Sequence, residues 1–173
     1  MKILIVSDSH GLTEELQEIK ARYKHEVQMM IHCGDSELQA DEEALENFVV
    51  VQGNCDFIGT FPEDIVKDVG GHRIFVTHGH RYGVKSTLLN LSLRAQEMAA
   101  KIVCFGHSHF LGAEMIDNIL YINPGSIRLP RGRIEKTFVI LEVSQNEMKL
   151  YVHDLTHGKL DKLTQVFTLP KSD

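Results

Sequence analysis

The segment KILIVSDSH, residues 2–10, decides the fold class, because an unbroken apolar run stops abruptly at polar residues. An apolar run without alternation is typical of a strand that is buried on both faces, as in a parallel sheet covered by helices. The side chains that follow the run, Asp8 and His10, would then lie at the carboxyl end of a strand. Ligands of open α/β sheets collect at that edge.

The same pattern recurs through the first part of the chain. The spacing of Leu16, Ile19 and Tyr23 predicts a helix that ends at Tyr23. The apolar runs and helical spacings that follow predict strands at 28–33, 48–51, 65–69, 72–77 and 101–105, a short helix over 41–47 and a long, mostly buried helix over 86–99. Alternation of strands and helices predicts an α/β fold with a parallel sheet.

Later in the chain, turn signals replace the helical spacings. Gly70-Gly71 and Asp117-Asn118 each separate two apolar runs by two residues, which is a hairpin signal, and a turn around 145–146 separates two more. We therefore expect an antiparallel second half and two sheets. The length of 173 residues fits a single domain, which we assign to 1–173.

Composition excludes several classes of protein. Hydrophobic residues make up 43% and charged residues 24%, which excludes collagen, coiled coil and broad disorder, and the net charge of −6 disfavours general nucleic-acid binding. Three cysteines fit a reducing compartment better than a disulfide framework. The first apolar run is too short for a signal peptide, and no later run spans a membrane. These observations predict a cytoplasmic protein without membrane contact.

Polar clusters follow five of the predicted strands, and they contain residues that bind metal ions. If the strand ends lie along one edge, seven candidate side chains converge there: Asp8, His10, Asp35, Asn54, His78, His107 and His109. So many oxygen and imidazole groups require a cation among them. One ion takes about four to six ligands, so the set suits two ions that share a bridging ligand. The mixture of oxygen and nitrogen favours Mn²⁺, Fe²⁺ or Zn²⁺ over Ca²⁺.

Each group taken alone also has an ordinary interpretation. An aspartate after a strand usually caps a turn, and a histidine at a strand end usually lies at the surface or supports another group. Only the combination, with every cluster at a strand end, indicates a metal site.

The motifs DSH, GD, GNCD, HGH and GHSH together resemble those of the calcineurin-like metallophosphoesterases, and NPGS with the short chain is similar to the compact bacterial and archaeal phosphodiesterases. The resemblance implies a four-layer α/β/β/α sandwich with two mixed β-sheets around a dinuclear centre. It implies that Asp8, His10, Asp35 and His109 hold one ion, and that Asp35, Asn54, His78 and His107 hold the other. Manganese is the first candidate, and nickel, iron, zinc and magnesium are alternatives.

The resemblance also implies direct in-line attack on phosphorus by a metal-bridging hydroxide. Many relatives carry a histidine as proton donor where this chain has Cys55, and a thiol is a poorer acid. His10 and His80 are the other candidate acids, although His80 also suits a supporting or substrate-contact role. Asp56 is expected to orient its neighbours through hydrogen bonds, or to be a simple turn residue.

Substrate contacts are expected from four residues: Asn54, His80, Ser126 and Arg128. The NPGS segment either presents backbone amides to a phosphate or forms an ordinary turn. Arg131 and Arg133 are expected to be solvated. The histidines outside the motifs are interpreted as surface or supporting residues, and Cys33 and Cys104 as core residues.

The function predicted from the sequence is metal-dependent hydrolysis of a small phosphodiester. Two alternatives stay open: a phosphomonoesterase, and a non-catalytic protein-interaction scaffold, since the fold resembles a retromer coat subunit. All seven ligand positions hold competent residues, which favours the enzyme. The expected partner is a small phosphodiester substrate. A homo-oligomer remains open, with a symmetric dimer as the commonest arrangement.

Overall fold

The computed structural model describes residues 1–169 and contains two β-sheets with a helix on the outer face of each. The last four residues of the predicted domain 1–173 lie outside the described residues. In chain order the strands are β1 Lys2–Val6, β2 Met29–His32, β3 Phe48–Val50, β4 Asp64–Val69, β5 His72–Thr77, β6 Ile102–Cys104, β7 Leu111–Ile116, β8 Ile119–Pro124, β9 Thr137–Val143, β10 Glu147–Asp154, β11 Gly158–Lys159 and β12 Gln165–Thr168. The helices are α1 Glu14–Tyr23 and α2 Leu89–Glu97.

Both sheets are mixed. The first sheet has the order β11-β10-β9-β1-β2-β3, with β12 also paired to β10, and only β1, β2 and β3 run parallel to one another. The second sheet has the order β4-β5-β6-β8-β7, and β5, β6 and β8 form its parallel part. The parallel strands therefore occupy part of each sheet and are flanked by antiparallel strands. The predicted α/β class with two mixed sheets is confirmed.

Strand β1 lies between two cores, which explains its unbroken apolar sequence. Ile3 and Ile5 are fully buried in the core between the two sheets. Leu4 and Val6 point to the other face and pack with Leu16 of α1. Because neither face contacts water, alternation of polar and apolar residues would be unfavourable here. The result is the four-layer order helix, sheet, sheet, helix.

Helix α2 differs from the sequence prediction. A mostly buried helix over 86–99 was expected, but the helix is limited to Leu89–Glu97, and within it only Leu91 and Ala95 are buried. Leu89 and Leu93 are 61% and 53% exposed. The helix contacts the outer face of the second sheet through a narrow stripe at i, i+4 spacing. A leucine-rich helix is therefore not buried all round, because only one layer packs against it.

Two other local predictions were wrong. The expected helix over 41–47 is a single 3₁₀ turn at Glu43–Leu45. The second half of the chain is not wholly antiparallel, since β8 pairs antiparallel with β7 but parallel with β6. The sequence identified the β7–β8 hairpin from its turn, where Asp117 and Asn118 have φ of 49° and 60°. The sequence carried no signal that β6 pairs with the other edge of β8.

Two more observations complete the fold. Cys33 and Cys104 are buried in the core between the sheets, as expected, and all three cysteines are free. Within residues 1–169, no helix combines the length and apolar character needed to cross a membrane.

Candidate metal centre

The loops after five parallel strands bring the seven predicted ligands to one edge of the two sheets. Asp8 and His10 follow β1, Asp35 follows β2 and Asn54 follows β3, all in the first sheet. The second sheet supplies the rest: His78 after β5, and His107 and His109 after β6. Backbone hydrogen bonds tie the loops together, with the amide of Asp8 donating to the Gly34 carbonyl at 3.0 Å.

Left-handed backbone is concentrated at these loops. Five of the seven candidate ligands have positive φ, from 43° to 68°: Asp8, His10, Asp35, His107 and His109. Non-glycine residues rarely adopt this region, and such strained residues cluster at functional sites. The sharp turns aim the side chains away from the strands and toward one another.

Gly106 shows how tightly the two sheets approach. A Cβ atom at this position would overlap the Ser7 hydroxyl and the Asp8 carboxylate. The Ser7 hydroxyl in turn donates to Asp8 Oδ2 at 2.5 Å, and the His107 amide donates to the same oxygen at 3.1 Å. A glycine is therefore needed where the second sheet passes beneath the first sheet's carboxylate.

One group of side chains surrounds Asp8. Oδ1 of Asp8 lies 3.1 Å from Nε2 of His109 and 3.9 Å from Nε2 of His10, and the two imidazole nitrogens are 3.2 Å apart. Asp8 is fully buried. A single cation among these three groups would contact all of them, since their ligand atoms lie within 4.8 Å of one another.

A second group surrounds Asp35. Nε2 of His78 lies 3.3 Å from Oδ2 of Asp35 and 3.0 Å from Oδ1 of Asn54. The rings of His78 and His107 are 5.1 Å apart between centroids, and Asp35, His78 and His107 each offer a ligand atom within 4.8 Å of the others. Asp35 also shares a third such group with His10 and Cys55. The carboxylate of Asp35 therefore lies between the two sets of ligands.

Three histidines have the nitrogen that faces away from the centre fixed by a hydrogen-bond acceptor. Nδ1 of His78 lies 2.7 Å from the Cys33 carbonyl, and Nδ1 of His109 lies 2.7 Å from the Leu129 carbonyl. Nδ1 of His10 lies 2.5 Å from Oε1 of Glu37. Carbonyl and carboxylate oxygens only accept, so Nδ1 carries the proton in each ring. The Nε2 atoms are then the ones that face the centre and can bind a metal once they are deprotonated, an arrangement typical of metal-ligating histidines.

The electrostatics of the centre also fit a cation. Oδ1 of Asp8 is buried and accepts no hydrogen bond of good geometry from residues 1–169. An unsatisfied buried carboxylate oxygen is costly, and it faces the Nε2 atoms just described. Without a proton or a metal between them, these atoms would repel one another. The donor set of carboxylate, amide and imidazole groups therefore fits divalent metals of the Mn²⁺, Fe²⁺ and Zn²⁺ type.

The pKa values follow from burial and from the mutual proximity of these groups. Burial raises the pKa of Asp8, but the approach of His109 and the charge of His78 outweigh burial and lower it. The pKa of Asp35 is lowered in the same way, since contact with His78 outweighs burial. Burial and the neighbouring charge of His78 lower the pKa of His107 to about 4. Neutral His107 and ionised carboxylates are the forms that bind metal.

The remaining predicted catalytic residues lie beside this centre. The His80 ring is 6.1 Å from that of His107 between centroids, and its buried Nδ1 has no hydrogen-bond partner within residues 1–169. Cys55 is exposed, its amide donates to Oδ1 of Asp35 at 2.8 Å, and burial together with the Asp35 charge raises the pKa of its thiol to about 11. A thiol with this pKa is protonated at neutral pH.

Asp56 contacts backbone amides rather than histidine side chains. Its Oδ2 accepts from the amides of Asp35 at 2.9 Å and Gly53 at 2.7 Å, and its Oδ1 accepts from the Glu37 amide at 2.7 Å. It thereby joins the loop after β2 to the loop after β3. This placement gives Asp56 a positioning role for both loops.

Two of the residues predicted to contact substrate form hydrogen bonds within the protein. Ser126 is fully buried, and its hydroxyl donates to the Asp8 carbonyl at 2.7 Å and accepts from the Leu129 amide at 2.8 Å. Arg128 is exposed and its guanidinium donates to the His10 carbonyl. Ser126 therefore stabilises the loop after β1 through the hydrogen bond to Asp8, whereas Arg128 lies at the edge of the centre.

Two supporting residues were missed or left general by the sequence analysis. Glu37, which holds His10, was not singled out, because an acidic residue in a polar loop is ordinary. His32 was interpreted only as surface or supporting, and it is fully buried with Nε2 2.8 Å from the Ser9 hydroxyl. Burial lowers the pKa of His32 to about 4, so it supports the loop after β1 as a neutral ring.

A sequence model of the calcineurin-like phosphoesterase superfamily domain matches residues 1–146. The chain belongs to the calcineurin-like phosphoesterase superfamily. The resemblance drawn from the five motifs is thus confirmed.

Individual relatives agree with this assignment. The chain is 48% identical over 169 residues to a probable metallophosphoesterase, YsnB of Bacillus subtilis, covering 98% of this chain and 100% of the relative. It is 28% identical over 144 residues to phosphodiesterase MJ0936 of Methanocaldococcus jannaschii, covering 72% of this chain and 83% of the relative. A crystal structure of a predicted phosphoesterase from Streptococcus pneumoniae superimposes with a TM-score of 0.92 and 36% identity, covering 96% of this chain and 97% of that chain.

Proposed function

We propose that this protein is a metal-dependent phosphodiesterase that hydrolyses a small phosphodiester. The observation that carries the proposal is the arrangement of Asp8 and Asp35, two carboxylates faced by the Nε2 atoms of histidines whose Nδ1 atoms are already engaged. Membership of a phosphoesterase superfamily supports the same reaction class. A relative named as a phosphodiesterase supports the diester as substrate.

The proposed ligand sets divide the seven residues between two ions. Asp8, His10, Asp35 and His109 hold the first, and Asp35, Asn54, His78 and His107 hold the second. The position of Asp35 between the two groups of ligand atoms supports its role as the shared ligand. Manganese is proposed as the first candidate, because carboxylate and amide oxygens suit Mn²⁺, and the imidazole nitrogens keep iron, zinc and nickel as alternatives.

Divalent ions held by these residues would lower the pKa of a water for attack on phosphorus and would neutralise charge on the phosphoryl oxygens. The chain's own residues orient the reaction. Asn54 and His80 are the proposed contacts to a phosphoryl or ester oxygen, which is supported by their position beside His78: the Asn54 Oδ1 lies 3.0 Å from the His78 Nε2, and the His80 and His78 rings are 5.3 Å apart between centroids. Cys55 stays a neutral thiol, which argues against a nucleophilic role.

The experiment that tests the proposal starts from metal-free protein. Mn²⁺, Ni²⁺, Mg²⁺ or Zn²⁺ is added, bound metal is counted by mass spectrometry, and hydrolysis of bis(p-nitrophenyl) phosphate is compared with that of p-nitrophenyl phosphate. We expect no turnover without metal, about two ions per chain, and a preference for the diester of at least about tenfold in kcat/KM. A substrate that is chiral at phosphorus should react with inversion.

Three results would contradict the proposal in different ways. A preference for the monoester would assign the site to a phosphomonoesterase. Binding of metal without hydrolysis of either substrate would favour a protein-interaction scaffold. Retention of configuration at phosphorus would indicate a covalent intermediate instead of direct attack by water.

A further inference from the structure

A groove of about 950 Å³ opens beside the candidate metal centre. It borders the centre through Glu37, which holds His10, and through Cys55, whose sulfur lies with the ligand atoms of His10 and Asp35. The groove therefore lies next to the place where the phosphoryl group is proposed to react. Its volume is in the range of pockets that bind small organic ligands.

Two large apolar side chains are displayed at this groove. Phe57 and Ile58 are 87% and 91% exposed, on the loop between β3 and β4. The loop is held in place from beneath, since the side-chain amide of Gln52 donates to the carbonyls of Asp56 and Phe57 at 3.2 and 3.1 Å. The Thr60 hydroxyl donates to the same Phe57 carbonyl at 2.6 Å. An adjacent pair of exposed apolar residues on a well-held loop, at the mouth of a reactive centre, favours contact with a ligand.

The charges around the groove indicate which part of a substrate it receives. The described lining residues include neither lysine nor arginine, and three of them are acidic: Asp41 is exposed, Glu37 lies beside His10, and Asp56 is buried against backbone amides. The cationic side chains near the centre lie elsewhere, with Lys85 close enough to act on His107 and Arg131 on His109. A second anionic group of a substrate would be repelled from the groove. An uncharged group of the substrate would not be repelled.

We propose that this groove binds an uncharged aromatic ester group of the substrate, which stacks on Phe57 while the phosphoryl group lies at the metal centre. The substrate class is then a singly charged phosphodiester with at least one aryl-like or nucleoside-like ester group. This inference rests on the proposed function and names its substrate more closely. An aromatic ring suits the site, because Phe57 presents a flat apolar face that gains by stacking.

Binding of two phosphodiesters with poor leaving groups to the Mn²⁺-loaded protein tests the inference, and product release is followed in the same samples to show that the ligand stays intact. Diphenyl phosphate and dimethyl phosphate carry the same single charge and differ only in their ester groups. We expect the wild-type protein to bind diphenyl phosphate at least about tenfold more tightly in calorimetry, as stacking on one aromatic side chain typically gives. Phe57→Ala should reduce this preference below about threefold and leave the affinity for dimethyl phosphate unchanged.

Two control variants accompany Phe57→Ala. Phe57→Tyr should retain the preference, because it keeps the aromatic face. Ile134→Ala removes another apolar side chain, 92% exposed and outside the lining of the groove, and should also retain it. A further ligand, bis(4-carboxyphenyl) phosphate, should bind more weakly than diphenyl phosphate, and Asp41→Asn should reduce that difference.

The outcomes separate this inference from the proposed function. Equal binding of the two diesters by the wild-type protein, or a preference above about threefold that survives in Phe57→Ala, overturns the groove assignment. Neither result affects metal-dependent hydrolysis of bis(p-nitrophenyl) phosphate. Conversely, selective binding of diphenyl phosphate by a protein that hydrolyses no phosphodiester would overturn the proposed function alone.

Discussion

The two sheets contribute different chemistry to the candidate metal centre. Loops of the first sheet supply both carboxylates, Asp8 and Asp35, together with His10 and Asn54. Loops of the second sheet supply only imidazoles, from His78, His107 and His109. Each carboxylate faces a histidine of the opposite sheet, at 3.1 Å for Asp8 with His109 and 3.3 Å for Asp35 with His78.

This division makes the centre a property of the packed sheets rather than of either sheet. The anionic half lies buried and needs positive charge, whereas the imidazole half provides directed nitrogen ligands. A cation bound between the two halves neutralises the carboxylates and is coordinated by the imidazole nitrogens. Metal binding is therefore expected to report on how the two sheets are packed together.

The largest expected effect comes from replacing one candidate ligand from each sheet in turn. Asp35→Asn and His78→Gln should each lower kcat/KM for bis(p-nitrophenyl) phosphate by at least about a thousandfold, because bound metal supplies several kcal/mol of transition-state stabilisation. Steady-state kinetics and metal counting measure the effect, and His25→Gln, an exposed histidine, is the control. Full activity in either variant would mean that the replaced side chain is not needed for the reaction.

The contact between the sheets can be disturbed without replacing any of the candidate ligands. Gly106→Ala places a methyl group against Ser7 and Asp8 and should lower kcat about a hundredfold, as a displacement of about 1 Å does in other active sites. Gly112→Ala is the matched control, since no atom lies within 4 Å of its added Cβ. Circular dichroism and kinetics measure both variants. Equal activity of the two would show that the sheets tolerate separation at this point.

The first sheet also contains a test of ligand orientation. Glu37→Gln weakens the hold on Nδ1 of His10 and should lower metal affinity by about tenfold to a hundredfold, the usual range for a partner of a ligating histidine. Competition with a chelating dye measures the affinity. Glu18→Gln on the exposed face of α1 should leave it unchanged. An unchanged metal affinity in Glu37→Gln would mean that contacts other than the one with Glu37 orient His10.

The smallest effect is expected at Cys55. Cys55→Ala should change kcat on bis(p-nitrophenyl) phosphate by less than about threefold, because a nitrophenolate leaving group needs little help from an acid. Its thiol, with a pKa raised to about 11, also lacks the thiolate needed for attack. Turnover across pH 6–9 measures the effect, with Cys55→Ser as the isosteric control. A collapse of turnover would make Cys55 a catalytic residue.

The strand pattern and the residue types were sufficient to predict much of the centre. An apolar run that ends in Asp8 and His10 specifies a buried strand with ligands at its tip, and the same rule located His78 and His107. These signals are local, because strand formation and turn chemistry depend on neighbouring residues. The supporting contacts carried no local signal. Glu37 meets His10 across 27 positions of the chain, and Ser126 meets Asp8 across 118.

The burial of helix α2 and the topology of the second half were also beyond local pattern. Leu89 and Leu93 have the same residue type as the buried Leu91, and only the position of the sheet decides which of them is covered. The sequence pattern also did not predict that the short strand β11 and the strand β12 pair with β10.

The amino-acid sequence by itself determined the class of fold, the strand tips that carry ligand-type side chains and the family to which the chain belongs, because each depends on residues close together in the chain. Only the tertiary structure decided that Asp35 lies between two groups of candidate ligands, that histidines of one sheet face carboxylates of the other, and that Phe57 lines a groove beside the centre. The physical reason is that these relations arise from the packing of two sheets across an apolar core, which no short segment of the chain encodes.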